Sequence, residues 1–237
     1  MFIGREPECR RLSDLIRHRS NVLVLGEEGV GKSTILNHAI ADGIFKNFLY
    51  SKNSATLKEA LVNLVGAAVG GKELAKKNIL TLKKTCYQLL NERPEYGVFD
   101  HVARVERRFY AFLTYLRERN LPLVIAARQS GKDNLGHLWM GLYDFEVLEV
   151  KNFDPTKTAE LVDHFITKLH LEINDALDFK KDIFKTSQGN PRIIQELCRL
   201  ARHDRYRAKG YIDVKLMDLD RRISSIALEA IDSKSAE

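Results

Sequence analysis

The chain has 237 residues, of which 44% are hydrophobic and 8% aromatic, enough to bury a core without disulfide staples. Its 38 Lys and Arg against 32 Asp and Glu leave a formal charge of +6, which permits a polyanionic partner without demanding one. This composition excludes a disordered chain, and 14 Gly with 5 Pro exclude a collagen-like one.

Cys9, Cys86 and Cys198 are isolated and fall at no metal-ligand spacing, so they read as reduced thiols. No apolar run approaches the roughly 18 residues of a membrane span. The opening Met1-Phe2-Ile3-Gly4-Arg5-Glu6 has no charged-then-apolar leader. The expectation is a cytoplasmic globular protein with no membrane partner.

In chain order, Leu12, Leu15 and Ile16 predict an amphipathic helix over Glu6 to Arg19. Asn21 to Leu25 is a short β-branched run, followed by a Gly-rich turn and a helical Ser33 to Ala41. Phe48 to Tyr50 predicts a strand, and Ala55 to Val69 and Ile79 to Glu92 predict helices, separated by Gly70-Gly71 and a lysine-rich stretch. Tyr96 to Phe99 is another short apolar run, ending at Asp100, and a long helix over Ala103 to Arg119 carries Phe109, Phe112, Leu113 and Leu116 on one side. Leu121 to Ala127 lacks alternation and so reads as a fully buried strand; Phe145 to Val150 is the last strand predicted. Helices alone follow, at Pro155 to Leu171, Asn174 to Thr186, Pro191 to Arg207 and Val214 to Ala230. Strands alternating with helices, then helices alone, predict a three-layer α/β core with a parallel sheet over residues 1–152 and a small all-helical lid over 153–237.

Gly26-Glu27-Glu28-Gly29-Val30-Gly31-Lys32-Ser33 fits G-x-x-x-x-G-K-[ST] at every fixed position, after a predicted strand and before a predicted helix. The glycines let backbone N–H groups turn inward around phosphate oxygens, and the helix N-terminus adds its positive end. In that chemistry Lys32 neutralises the β- and γ-phosphates, the Ser33 hydroxyl holds Mg²⁺ and Thr34 neighbours the α-phosphate. Asp100, closing its strand, is placed to hold the same Mg²⁺ through water, and a helix N-cap role there is compatible with it. The next residue is His101, where many hydrolysing ATPases carry Glu. An imidazole polarises water less dependably near pH 7, so weak turnover is expected. No Asn-Lys-x-Asp guanine-reading motif is present, which makes ATP the default nucleotide.

These residues resemble a family. Phe2-Ile3-Gly4-Arg5-Glu6 looks like the hydrophobic-Gly-Arg-Glu box that opens origin-recognition-type AAA+ ATPases and the STAND ATPases, including the NB-ARC proteins. Val24 to Thr34 resembles their Walker A and Tyr96 to Asp100 their Walker B strand. Leu123 to Arg128 is similar to the strand ending in a sensor arginine, and Gly189-Asn190-Pro191-Arg192 to the lid motif. The resemblance implies an ATP- and Mg²⁺-dependent ATPase, with the opening box against the adenine. It further implies that Pro191 and Arg192 lie at the nucleotide and that Arg128 and Arg192 register the γ-phosphate, a task suited to a permanently charged fork.

Two features depart from the family. Gln129 to Asp144 contains Lys132 but no arginine finger, and Arg117 and Arg119 are the nearest replacements. About 30 residues follow Lys209, short of the winged-helix domain common in origin-recognition proteins, so an effector or protein partner is expected in trans. Arg199, Arg202, Arg205, Arg207 and Lys209 form one basic group and Lys72, Lys76, Lys77, Lys83 and Lys84 a second. Either is a candidate DNA contact. The expectation is an ATP/ADP-dependent switch or loader, with nucleotide-dependent homo-oligomerisation or DNA binding as further partners.

Overall fold

The computed structural model describes residues 3–70, 73–208 and 211–234; Phe2, Lys72 and Lys209 lie outside the described residues. The chain forms two compact units, Arg5–Lys151 and a second made of Met1–Gly4 with Asn152–Glu237.

The first unit begins with α1 (Glu6–Arg17), β1 (Asn21–Leu25) and α2 (Lys32–Ala41), then β2 (Phe48–Ser51), α3 (Leu57–Val69) and α4 (Ile79–Leu89). It continues through β3 (Tyr96–Val102), α5 (Arg107–Glu118), β4 (Leu123–Ala127), the single turn α6 (Lys132–Leu135) and β5 (Phe145–Glu149). All five strands are parallel, in the order β2-β3-β4-β1-β5. Successive strand side chains point to opposite faces. Leu23, Leu25, Phe99, Leu123 and Ile125 therefore share one face, where they pack with Leu61, Leu64, Leu82, Phe109 and Phe112 of α3, α4 and α5. Val22, Val24, Val98, Val124 and Ala126 point the other way, toward the side that α1 and α2 cover. Each such fully buried Leu, Val or Phe contributes about 1.5–3 kcal/mol. This is the three-layer α/β architecture expected, and burial on both faces explains why the strands read as unbroken apolar runs.

α3 starts on a capping box: Thr56 accepts from the Glu59 N–H, and the Glu59 side chain returns to the Thr56 N–H. β3 runs further than the sequence suggested. It continues through Asp100 and His101 to Val102, with a register shift against β4 between Phe99 and Val102. His101 takes φ +54, an uncommon conformation outside glycine, and marks the bulge. α5 starts only at Arg107, after Glu106. Asp100 is therefore a bulge residue inside a strand, and the N-cap role does not apply to it.

The second unit holds α7 (Pro155–Leu169), α8 (Ala176–Ser187) and α9 (Pro191–Leu200), then β6 (Arg207–Ala208), β7 (Tyr211–Ile212) and α10 (Val214–Lys234). Phe153, Val162, Phe165, Phe179, Ile183, Ile194, Leu197 and Met217 form its core. α7 and α9 start alike, with Asp154 or Asn190 capping and proline in the first turn. Two expectations fail here. The helix beginning at Pro191 stops at Leu200, and a strand pair follows Val150 after all, as the antiparallel β6-β7 hairpin. Tyr206 explains the break: its ring is buried and its hydroxyl donates to Asp220 Oδ2 at 2.9 Å, which pulls the chain off the helical path. Among the described residues no helix is long and apolar enough to cross a membrane.

Candidate nucleotide-binding site

The Gly26–Ser33 loop joins β1 to α2, with Gly29 at φ +81 and Gly31 at φ +101, conformations that L side chains rarely adopt. Gly26 is required for space: a Cβ there would overlap the Val150 carbonyl oxygen. Lys32, in the first turn of α2, donates from Nζ to the carbonyls of Gly26 at 2.7 Å and Glu27 at 2.8 Å. Its pKa is lowered chiefly by burial, with Asp100 and Glu28 opposing and Arg128 adding to the shift. Lys32, Glu28, Asp100 and Arg128 are thus electrostatic neighbours. Gly29, Val30 and Thr34 complete the loop and the start of its helix, Val30 being buried.

Asp100 is 1% exposed. One of its oxygens accepts from the His101 N–H at 2.8 Å, and the other lies 3.8 Å from His101 Nε2. The same Nε2 lies 3.2 Å from Ser33 Oγ. Hydroxyl, imidazole and carboxylate therefore stand in one row, linking α2 to β3. Tyr50 of β2 joins them: its hydroxyl donates to Asn37 Oδ1 at 3.3 Å, and its pKa is pushed up to about 12 by burial and then by Asp100. Sequence reading missed Tyr50, because nothing marks it except its place one residue before a strand end.

β3 is not next to β1; β4 lies between them. Leu25 pairs with Ala127, and Ala127 with Val102, so Arg128 leaves β4 between the phosphate loop and the Asp100 bulge. Arg128 is exposed and follows the last paired residue of the strand. Arg117 and Arg119 are engaged elsewhere. Arg117 pairs with Asp144 and lies over the Phe145 ring, and Arg119 lies 5.2 Å from the Tyr115 ring centroid.

Arg5 is placed by protein acceptors. It donates to the Val30 carbonyl at 2.7 Å and the Lys151 carbonyl at 2.6 Å, and it pairs with Glu8 at 2.8 Å. Ile3, Gly4, Pro191 and Arg192 belong to the second unit. There Ile3 packs on the helical core, and a Cβ at Gly4, where φ is +74, would come within 3.1 Å of the Phe153 ring. Pro191 opens α9, and Arg192 Nε donates to Glu196 Oε1 at 3.0 Å. Gly189 at φ +76 allows the Phe153 N–H to donate to its carbonyl at 2.8 Å, and a Cβ there would overlap the Phe153 carbonyl oxygen.

Solved structures share this fold. A Walker-type ATPase of Pyrococcus abyssi superposes on 100% of the chain and 77% of its own, at TM-score 0.62 and 16% identity. The fold is that of a P-loop NTPase. The same P-loop NTPase fold appears in a Thermotoga maritima RuvB variant, which covers 92% of this chain and 70% of its own at TM-score 0.59 and 20% identity. It appears again in a replication initiator, DnaA, bound to AMPPCP and single-stranded DNA, over 98% of this chain and 69% of its own at TM-score 0.57 and 15% identity. No protein-family model and no curated protein sequence matches the chain.

Among the described residues no group of three or more His, Cys, Asp or Glu could hold a metal ion. Mg²⁺ held on a nucleotide needs only one or two protein oxygens, with phosphate and water supplying the rest. Ser33 Oγ and Asp100, joined through one imidazole, are a suitable hard-oxygen pair.

Proposed function

We propose that the protein is an ATP-binding, slowly hydrolysing ATPase of the AAA+/STAND kind, working as a nucleotide-dependent switch or loader for a partner protein. The observation that carries this reading is the row formed by Ser33, His101 and Asp100, with Lys32 held at the loop carbonyls and Arg128 emerging at the neighbouring strand end. Lys32 turns from the loop carbonyls to the β- and γ-phosphates, and the loop N–H groups take the remaining oxygens. Ser33 and Asp100 hold Mg²⁺, which neutralises charge on the phosphate oxygens. Arg128 forks onto the γ-phosphate and registers its presence.

His101 supplies the only side chain at the position of the usual catalytic Glu, so turnover is slow and the bound state long-lived. Residues 1–152 act as the ATPase core and 153–237 as its lid, with Arg192 reporting from the lid helix. A partner that binds one nucleotide state better than the other is then sufficient for switching. Cytoplasmic placement belongs to the same reading.

Lys32→Ala tests the site. It is expected to abolish binding of a fluorescent ATP analogue; binding within a few-fold of the parent would sink the assignment.

A second reading, an ATP-dependent DNA-binding ATPase of the transposition-regulator or helicase-loader kind, is favoured by the exposed Lys77 and Lys84, which form no ion pair among the described residues. The arginine group supports it less, because Arg205 is tied to Asp220, and Arg207 to Glu172 and Asp204. Steady-state hydrolysis across protein concentrations, with and without duplex DNA, separates the two. A rate that climbs with DNA selects the second reading. A flat, low rate with ATP bound selects the first.

A further inference from the structure

Arg5 is 3% exposed although it carries a permanent charge. A guanidinium is retained away from water only where acceptors surround it. Its acceptors are Glu8 on its own helix and two main-chain carbonyls far apart in sequence, Val30 and Lys151. The first carbonyl lies inside the phosphate loop. The second ends the Arg5–Lys151 unit.

The Val30 carbonyl matters because of peptide geometry. In a trans peptide the C=O and the following N–H point in opposite directions. Gripping the Val30 oxygen from one side therefore turns the Gly31 N–H to the other, toward the cradle. The grip is needed because Gly29 and Gly31 flank Val30, and glycine leaves the backbone free to rotate.

The Lys151 carbonyl matters because of chain path. The chain passes between the two compact units twice, at Gly4–Arg5 and at Lys151–Asn152. Arg5 is the first residue after one passage, and its side chain holds the last carbonyl before the other. A second contact ties the same segment to the loop: the Val150 N–H donates to Leu25 O at 2.6 Å, and the Val150 carbonyl closes over Gly26.

We propose that Arg5 is a positioning residue that sets the Val30–Gly31 peptide for phosphate and locks the phosphate loop to the Lys151–Asn152 passage, so that nucleotide in the loop and order at that passage rise and fall together. The proposal rests on the reading of the loop as a nucleotide site. It adds to the adenine contact implied by the opening box a contact that couples loop to passage.

Hydrogen exchange on the full chain tests it, comparing the parent with Arg5→Gln, with and without AMPPCP and Mg²⁺. Without nucleotide, Arg5→Gln should speed exchange of segments 26–31 and 149–153 together, each by about tenfold, as expected for loss of charge-assisted hydrogen bonds. AMPPCP should slow exchange of 149–153 in the parent and no longer do so in the variant. Loosening of one segment alone, or nucleotide protection of 149–153 that survives in Arg5→Gln, overturns the proposal.

If Arg5→Gln does not fold, Arg5→Lys serves. It keeps the charge but its ammonium ends one bond short of the Nη2 atom that donates to both carbonyls, so at least one segment must loosen. Parental protection in both segments would overturn the coupling. Failure of the nucleotide reading itself would show separately, as AMPPCP giving no protection of 26–31 in the parent, while the nucleotide-free comparison still decides the role of Arg5.

Discussion

His101 Nε2 lies 3.2 Å from the Ser33 hydroxyl, so an imidazole from β3 occupies the oxygen assigned to Mg²⁺. The contact exists because the bulge after Phe99 turns His101 to φ +54 and projects it toward α2. A strand continued in register would send that side chain to the opposite face.

On the proposed reading, His101→Glu puts a carboxylate at the position where a base would act on water. General-base catalysis contributes roughly 10²–10⁴-fold. The hydrolysis rate of His101→Glu should therefore rise at least tenfold, with ATP affinity changed much less. Single-turnover hydrolysis is the measurement, and an unchanged or lower rate would show that position 101 does not limit turnover.

The pH dependence of stability follows from buried thiols and phenols. Burial pushes Cys86 and Cys198 from 9.0 to about 12, and Tyr50 and Tyr96 from 10.0 to about 12. The folded protein holds these protons more tightly than the unfolded chain does. Their contribution is thus complete below about pH 9 and is lost as pH rises toward 12. Melting temperatures should be level from pH 7 to 8.5 and fall steadily from pH 9 to 11. A level profile to pH 11 would contradict this burial. By the same shift, iodoacetamide at pH 8 should leave Cys86 and Cys198 unmodified until urea is added.

Gly189 and Gly43 both adopt positive φ, at +76 and +68, but only Gly189 is crowded. A Cβ at Gly43 meets nothing within 4 Å, whereas one at Gly189 enters the Phe153 carbonyl. Gly43→Ala should cost about 1 kcal/mol of backbone strain. Gly189→Ala adds a steric clash and should cost about 3 kcal/mol or more. Urea unfolding of the two variants gives the comparison, and equal losses would mean that backbone conformation alone accounts for both.

The phosphate loop was legible because its chemistry is local: two glycines at positive φ, a lysine and a serine, all within eight residues of one strand end. The strands were legible because both faces of the sheet are covered, leaving unbroken apolar runs such as Leu121 to Ala127. The β6-β7 hairpin was not, because two-residue strands carry no periodicity and Tyr206 leaves its helix for a partner 14 residues away. Tyr50 went unnoticed for a similar reason, since its nearness to Asp100 depends on how β2 pairs with β3.

Short-range physics therefore settled most of the element types and the phosphate loop, and the caps at Thr56, Asp154 and Asn190 are equally local, each needing only neighbours within a few residues. Tertiary structure decided which strand separates β1 from β3, and hence where Arg128 emerges. It also decided that Asp100 sits in a bulge, and that Arg5 holds two carbonyls 25 and 146 residues away. Those outcomes depend on strand order, register and the directions of distant carbonyls, which are set only when the whole core closes.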